Sequence, residues 1–268
     1  MRIKIISYNI LNGLCSENRP FEVDQNRKKA LIELLKKENP DILVLCEAAC
    51  WPVVKQDDMK DYDTLITGLC SANSDEKSSE SFRWAPAIFS KFPIDHKNLS
   101  KFCKSFLRTS IELGEKKLTL DAVHINPSVS EDDRAEFFRS VIKGQGGPYI
   151  ISGDFNSLHP KDSYDEEKLI RGYQAFMGDN GEPKVKDIIK AVAMQPFVGS
   201  GLIDTHSAHN LHDFTVPTDW RNKNKDSAVR LDYIFCSEDI KVLSSGVIKN
   251  EHAEKASDHY PIFAAVEI

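Results

Sequence analysis

Polar side chains recur where apolar, strand-like runs of this sequence end. These residues are Asn9, Glu47, His124, Asp154, Asn156, Asp232, Asp258 and His259. An apolar strand needs no acid or amide at its tip, whereas the rim formed by several strand ends is where open sheets gather functional groups. Each of these residues, taken singly, is also a common turn former or helix cap. Their repetition along one chain favours a functional site at a shared rim.

Carboxylate and amide oxygens at such a rim suit a hard divalent cation. Mg²⁺ and Mn²⁺ keep several waters and need only one or two carboxylates from the protein. Glu47 is the best candidate for the principal ligand because a buried apolar run over 42–45 precedes it, and Asn9 is a second candidate. Asp154 and Asn156 are two residues apart, which puts both side chains on one face of an extended chain.

The elements that must position these residues alternate between strands and helices. Apolar runs over 3–8 and 42–45 predict strands, and the i, i+3, i+4 stripe over 23–37 predicts an amphipathic helix between them. Further strands are expected at 85–90, 107–113, 117–124, 149–151, 229–236 and 260–268, further helices after the Ser130 cap and near 185–195, and a mobile acidic loop at 71–81. This order predicts a mixed α/β fold with one catalytic domain over 1–268 and an elaborated insertion at about 157–228.

Length and composition narrow the class of protein. The chain has 268 residues, of which 41% are hydrophobic, so a sizeable core is expected and intrinsic disorder is excluded. No stretch approaches the ~20 apolar residues of a membrane span, and no signal peptide is evident, so we expect a cytoplasmic protein. Six scattered cysteines without a CxxC pair predict reduced thiols. The net charge of −6 argues against a broad basic face, but it allows an enzyme that binds one phosphate through a metal ion.

Six segments spread over nearly the full length resemble the endonuclease/exonuclease/phosphatase superfamily. This group of metal-dependent phosphodiesterases includes pancreatic deoxyribonuclease and exonuclease III. The segments are SYNILNG (7–13), PDILVLCEA (40–48), HINP (124–127), ISGDFNS (151–157), RLDYIFCS (230–237) and SDHYPI (257–262). Each is short, but all six occur in the family's order. The resemblance implies a four-layered α/β/β/α sandwich, in which two mixed sheets pack face to face with helices outside.

The same resemblance implies roles for the rim residues. Asp258 joins the metal ligands, Asp154 activates the attacking water, and Asn156 holds water or a phosphate oxygen. His259 binds phosphate and stabilises the transition state. Its pairing with Asp232 orients the ring, much as in hydrolase triads.

Four further residues have two interpretations each. His124 resembles the second histidine that deoxyribonuclease-like members use as phosphate ligand or general acid, but it could also be a satisfied core histidine. Arg134 could reach a phosphate from the helix after Ser130, or it could be a solvated helix charge. Trp220 and Arg221 belong to a local basic and aromatic cluster that could contact nucleic acid or simply be solvated.

The pattern departs from the family's apurinic-site endonucleases. Ser207 replaces an arginine that normally follows shortly after the G-L-x-D segment, and Val229 replaces the usual tryptophan before R-[LI]-D. Because aromatic side chains of that kind pack near a lesion, the sequence does not support an abasic-site specialist.

The sequence therefore predicts a Mg²⁺- or Mn²⁺-dependent phosphodiesterase acting on DNA or RNA, with no obligate protein partner evident. The alternative is the same chemistry on a small or lipid phosphate ester, which the acidic net charge and the insertion favour. A binding module that lost catalysis is disfavoured, because every motif position carries a chemically competent side chain.

Overall fold

The computed structural model describes residues 1–16, 19–48, 62–66, 86–95, 106–209 and 213–268. The loop predicted at 71–81 lies outside these residues. No helix in the described ranges is both long enough and apolar enough to cross a membrane.

Strands alternate with helices along the described chain. The strands are β1 (Arg2–Asn9), β2 (Cys15–Ser16), β3 (Arg19–Val23), β4 (Ile42–Cys46), β5 (Asp63–Ile66), β6 (Ala87–Ser90), β7 (Phe106–Leu113), β8 (Lys116–His124), β9 (Tyr149–Asp154), β10 (Ile203–Asp204), β11 (Asp232–Cys236), β12 (Lys241–Val247) and β13 (Ile262–Glu267). The helices are α1 (Gln25–Glu38), α2 (Glu131–Ile142), α3 (Glu166–Met177), α4 (Gly181–Ile188) and α5 (Glu251–Ala256).

The strands form two large mixed sheets and one small pair. The first sheet has the order β12-β13-β1-β4-β6-β5 and the second has the order β10-β11-β9-β8-β7, while β2 pairs with β3. Strands β1 and β4 are parallel, as are β8 and β9. In contrast, β13 runs antiparallel to β1 and β11 runs antiparallel to β9.

The central strands are apolar on both faces because each sheet is covered on both sides. Ile5 of β1 and Ile150 of β9 belong to one core cluster between the sheets. Ile6 of β1 faces the other way and packs with Leu31 of α1. On the outer face of the second sheet, Phe138 of α2 belongs to a third cluster with residues of β9 and β11. This order of layers confirms the predicted four-layered α/β/β/α sandwich.

The local predictions are confirmed where the hydrophobic pattern is strong. The hydroxyl of Ser130 accepts a hydrogen bond from the Asp133 amide and caps α2, as its sequence predicts. The helix expected near 185–195 is wrong in its bounds, because α4 ends at Ile188 and Ala191 adopts a left-handed φ of 51°. Helix α3 was not predicted, although its apolar residues Leu169, Tyr173 and Phe176 follow the i, i+4, i+7 spacing of an amphipathic helix.

The prediction that all cysteines are reduced is wrong at Cys15, which is disulfide-bonded. Cys46 and Cys236 are free and buried. Disulfide formation depends on the distance between cysteines in the folded chain, which their spacing in the sequence does not show.

Candidate active site

Four of the predicted residues meet because two pairs of parallel strands end at the same rim of the sandwich. Asn9 ends β1 and lies in register with Cys46, the last residue of β4, which Glu47 follows directly. His124 ends β8 and lies in register with Asp154, the last residue of β9. The carboxyl ends of all four strands therefore deliver a polar side chain to this rim.

The remaining residues reach the rim from the opposite chain direction. Asp232 is the first residue of β11 and lies in register with Asp154, and residues 258–259 precede β13. The expectation that these residues follow strands is therefore wrong, although their position at the rim is as expected. The reason is topological, because β11 and β13 run antiparallel to β9 and β1 and so begin where those strands end.

Gly153 allows the two strands that carry His124 and Asp154 to approach closely. A Cβ atom at position 153 would lie 1.8 Å from the carbonyl oxygen of Val123, and its φ of 146° is strained for other residues. Only glycine therefore fits directly before Asp154.

Asn9 joins two carboxylates at the centre of the site. Its amide nitrogen donates to Oε1 of Glu47 at 3.1 Å and to Oδ2 of Asp154 at 3.0 Å. Its amide oxygen accepts from the Leu11 backbone N–H at 3.0 Å, which fixes the orientation of the amide. Glu47 has a left-handed φ of 57°, and its Oε2 accepts from the Asn12 backbone N–H at 2.6 Å. Asn9 thus positions the carboxylates through its nitrogen in this arrangement.

The carboxyl group of Asp154 lies in an unusual electrostatic environment. Burial, followed by the nearby Asp232 carboxylate, raises the pKa of Asp154 to about 6. His259, His124 and the amide of Asn9 oppose this shift. The charged form of Asp154 therefore depends on the cationic and hydrogen-bonding groups around it.

His259 and Asp232 form a buried pair that faces Asp154. Nδ1 of His259 lies 2.8 Å from Oδ2 of Asp232, and its Nε2 lies 3.8 Å from Oδ2 of Asp154. Burial alone would lower the pKa of His259, but the carboxylates of Asp232, Asp154 and Asp258 outweigh it and raise that pKa well above its ordinary value. The ring is therefore held as a cation with one nitrogen aimed into the site.

His124 lies at the same centre and is fully buried. Its Nε2 lies 3.7 Å from Oε1 of Glu47 and 3.7 Å from Oδ2 of Asp154. His124 is therefore both a buried core residue and a residue whose Nε2 faces the carboxylates of the site.

Asn156 and Arg134 shape the segment that follows Asp154. The amide nitrogen of Asn156 donates to the Ile125 carbonyl at 2.8 Å, and its φ of 49° turns the chain sharply after β9. Arg134 is only 1% exposed, and its guanidinium donates to the Asn156 carbonyl and, at 2.8 Å, to the Ser157 hydroxyl. Arg134 is thus not a solvated helix charge, and it contacts the site through this segment from inside the protein.

A cleft of about 210 Å³ opens beside the site. Its lining comprises Tyr173, Phe176, Val216, Pro217, Arg221, Asn222, Ser227, Leu231, Asp258 and His259. Arg221, expected either to contact nucleic acid or to be solvated, lines this cleft together with His259. Trp220 directly precedes Arg221 and is 44% exposed. The guanidinium carbon of Arg27 lies 5.4 Å from the centroid of its ring.

Arg27 holds together two segments beside the site, a role that was not predicted from the sequence. It is buried, and its guanidinium donates to four backbone carbonyls at 2.7–2.9 Å: those of Ile10, Leu11, Cys15 and Ala256. These bonds join the loop after Asn9 to the end of α5, directly before Ser257, Asp258 and His259. The signal was present, since Arg27 occupies the buried stripe of α1, where an arginine needs several partners.

The donor atoms of the site fit a divalent cation. Within the described ranges, Asp154, Asp232 and His259 each place a carboxylate oxygen or ring nitrogen within 4.8 Å of the others. Both nitrogens of the cationic His259 ring are donors, so the carboxylates are the metal ligands that this group offers. Oδ1 of Asp232 is buried and has no hydrogen-bond partner among the described residues. Glu47 adds another carboxylate next to Asp154. Three carboxylates around one cationic ring leave an excess of negative charge that a divalent cation would neutralise, and oxygen-rich sets of this kind suit hard metal ions.

Comparison with known proteins agrees with this geometry. The sequence model of the Endonuclease/Exonuclease/phosphatase family matches residues 6–259. The chain belongs to this family. Its members are hydrolytic phosphoesterases that are generally dependent on divalent metals, so the chain is a hydrolase of the phosphodiesterase or nuclease type.

Solved structures of the same fold cover the whole chain. An AP endonuclease from Archaeoglobus fulgidus has 18% sequence identity and a TM-score of 0.70, covering 99% of this chain and 100% of that one. A family member from Bacteroides vulgatus has 15% identity and a TM-score of 0.69, covering 100% and 99%. TDP2 from D. rerio, in complex with a single-strand DNA product, has 18% identity and a TM-score of 0.63, covering 100% and 99%. No curated protein matches the sequence.

Proposed function

We propose that the chain is a Mg²⁺- or Mn²⁺-dependent phosphodiesterase, and most directly a nuclease that hydrolyses phosphodiester bonds of DNA or RNA. The convergence of Glu47, Asp154 and the Asp232–His259 pair carries this proposal. Hydrolysis of an anionic phosphodiester requires charge neutralisation and a positioned base, and this set offers both. One neighbouring structure is an AP endonuclease and another holds a single-strand DNA product, which supports nucleic acid as the partner class.

Glu47 and Asp258 would hold the cation, with Asp154 and Asp232 beside them. When bound, the cation neutralises negative charge on the scissile phosphate. Asp154 acts as the general base for the attacking water, since its Oδ2 points to the centre of the site and Asn9 fixes its position.

The remaining site residues bind phosphate and water. The cationic ring of His259, oriented by Asp232, donates to a phosphate oxygen and stabilises charge that develops in the transition state. His124 binds a second phosphate oxygen or protonates the leaving oxygen. Asn156, whose amide nitrogen is engaged by Ile125, accepts a hydrogen bond from the attacking water through its amide oxygen.

Substitution of Asp154 tests this assignment. We expect Asp154→Asn to lower turnover about 10²–10⁴-fold, the usual contribution of a general base. The melting temperature of this variant should differ from that of the wild type by less than about 4 °C, equivalent to about 1 kcal/mol. The shift is small because the substitution removes a buried carboxylate that the Asp232 carboxylate repels. Plasmid, single-stranded DNA, RNA and a generic bis-phosphodiester, each with Mg²⁺, Mn²⁺ or a chelator, give the substrate range.

Asp121→Asn is the matched control. Asp121 is also a fully buried carboxylate of the same sheet, but it pairs with Arg108 and the Tyr149 hydroxyl away from the rim. This variant should melt at a lower temperature and retain turnover. Full activity of Asp154→Asn, or cleavage in the presence of chelator, would refute the proposal. Activity on small or lipid phosphate esters without activity on any polynucleotide would choose the alternative substrate class.

A further inference from the structure

The end of helix α3 presents apolar side chains to solvent next to the proposed catalytic residues. Phe176 is 61% exposed and Met177 is 38% exposed. Phe176 and Tyr173 form one side of the 210 Å³ cleft, whose other residues include Asp258 and His259. A large aromatic side chain that remains this exposed beside a catalytic cleft is suited to contact a ligand.

The size of the cleft limits what it can hold. Pockets for whole drug-sized molecules occupy about 300–1,000 Å³, so a cleft of about 210 Å³ accommodates one ring system rather than a complete nucleotide. The lining is apolar at Phe176, Val216 and Leu231, and its polar groups are Asn222 and Ser227. The Asn222 amide nitrogen donates to the Ser227 hydroxyl at 3.4 Å, and the Asn222 amide oxygen accepts from the Asn224 backbone N–H at 2.9 Å. The second amide N–H of Asn222 and the Ser227 O–H can still donate to the edge of a flat ring, which an acyl chain does not offer.

Two close backbone approaches hold α3 in place. A Cβ atom at Gly172 would lie 2.4 Å from the Ser227 backbone nitrogen, and one at Gly181 would lie 2.4 Å from the Gln174 backbone nitrogen. Glycine at these positions lets α3 pack directly against the 225–227 segment and against α4. The aromatic wall of the cleft is therefore pre-positioned, which reduces the entropy lost when a ligand binds.

We propose that this cleft binds the nucleobase of a nucleotide adjacent to the scissile phosphate, with Phe176 stacking on the ring. The inference rests on the proposed nuclease function and names the part of the substrate that the insertion recognises. Asn222 and Ser227 contact the base edge, and Arg221 contributes its guanidinium at the side of the cleft. Stacking on an aromatic side chain tolerates any base, so this site favours nucleotides over base-free esters without selecting a sequence.

Binding measurements with Phe176→Ala test the inference independently of cleavage. Isothermal titration calorimetry compares deoxyadenosine monophosphate with 2-deoxyribose 5-phosphate, which lacks the base. We expect the wild type to bind the nucleotide more tightly by about 5- to 150-fold, the range for one stacked base. Phe176→Ala should remove most of this preference. Met177→Ala is the matched control, because it shortens an exposed apolar residue of the same helix end that is not among the residues lining the cleft in the described chain.

Cleavage of an oligonucleotide with and without a base beside the target bond provides the second measurement. Phe176→Ala should slow cleavage of the complete strand and leave cleavage of the base-free strand unchanged. Equal binding of the two sugar phosphates, an equal loss on both strands, or preferential binding of short-chain phosphatidic acid would overturn the inference. If the nucleotide preference depends on Phe176 but no strand is cleaved, the cleft assignment stands and the nuclease proposal fails.

Discussion

Replacing Arg27 by lysine should damage the site although Arg27 does not face it. The guanidinium bonds the carbonyls of Ile10 and Leu11, and the next backbone amides along the loop bond the site residues. The Leu11 amide donates to Asn9 and the Asn12 amide donates to Glu47. The position of both side chains therefore depends on where Arg27 holds this loop.

The magnitude follows from the bonds that lysine cannot make. Lysine keeps the charge, but a single ammonium group at that depth replaces about two of the four bonds that Arg27 makes. Two lost bonds from a charged donor, at about 1.5 kcal/mol each, cost about 3 kcal/mol. For a domain of this size the melting temperature should fall by about 6–12 °C. A displacement of the loop by about 1 Å should lower turnover about 10²-fold.

The assay compares activity and metal binding at a temperature where both proteins are folded. Mn²⁺ binding, followed by electron paramagnetic resonance, should be weaker in Arg27→Lys than in the wild type, because Glu47 loses its fixed position. Cleavage rates at saturating Mn²⁺ then report the remaining misplacement of Asn9 and Asp154.

Arg108→Lys separates loss of stability from loss of positioning. Arg108 is partly buried and bonds Asp121 and the Val141 carbonyl, away from the rim. Its replacement should lower the melting temperature and leave Mn²⁺ binding and turnover close to those of the wild type. If both lysine variants lose turnover equally, or if Arg27→Lys retains full turnover and Mn²⁺ affinity, the reasoning about the loop is refuted.

Two further substitutions test the packing of α3 and the pH dependence of stability. Gly172→Ala should lower the free energy of unfolding by about 1–3 kcal/mol through overpacking against Ser227. Gly146→Ala is the control, because a Cβ at Gly146 meets open space, and in thermal melts it should not lower stability. Burial and the neighbouring Arg230 lower the pKa of His206 to about 4, below the value of about 6.5 for an unfolded chain. Because the unfolded chain then binds a proton first, this histidine stabilises the fold fully above pH 6.5 and progressively less as the pH falls towards 4. Between pH 7 and pH 5, the free energy of unfolding measured with denaturant should fall by about 2 kcal/mol less in His206→Gln than in the wild type. An equal fall in both proteins would contradict this assignment.

The position of the rim was predictable because local pattern and topology agree there. The sequences of β1 and β4 are apolar runs; β1 ends at Asn9, and Glu47 directly follows β4. Parallel pairing then brings Asn9 and Glu47 together. The same logic placed Asp154. The expected strands at 229–236 and 260–268 put Asp232 inside one strand and His259 directly before the other, but the sequence did not show the antiparallel strand directions that bring both residues to this rim.

The finer geometry depends on contacts that no local pattern contains. Asn9 looked like a metal ligand, yet the Leu11 amide binds its oxygen and turns its nitrogen toward the two carboxylates. Helix α3 was not predicted although Leu169, Tyr173 and Phe176 have helical spacing, because the surrounding 157–228 segment is largely polar and was interpreted mainly as turns. The arginine in the buried face of α1 was visible, but its four carbonyl partners come from separate parts of the chain.

The division of the site between two kinds of element has a consequence for how its properties can change. Glu47, Asp154 and Asp232 sit on or directly beside strands that are packed on both faces, so small changes there disturb the core and the chemistry together. Phe176 and Tyr173 lie on α3, which packs against the 225–227 segment and α4 through close backbone approaches at Gly172 and Gly181. Substitutions on that helix can alter the cleft while the carboxylates keep their positions. Substrate preference should therefore vary through α3 and the 216–227 segment, while loss of reaction chemistry should trace to the strand ends.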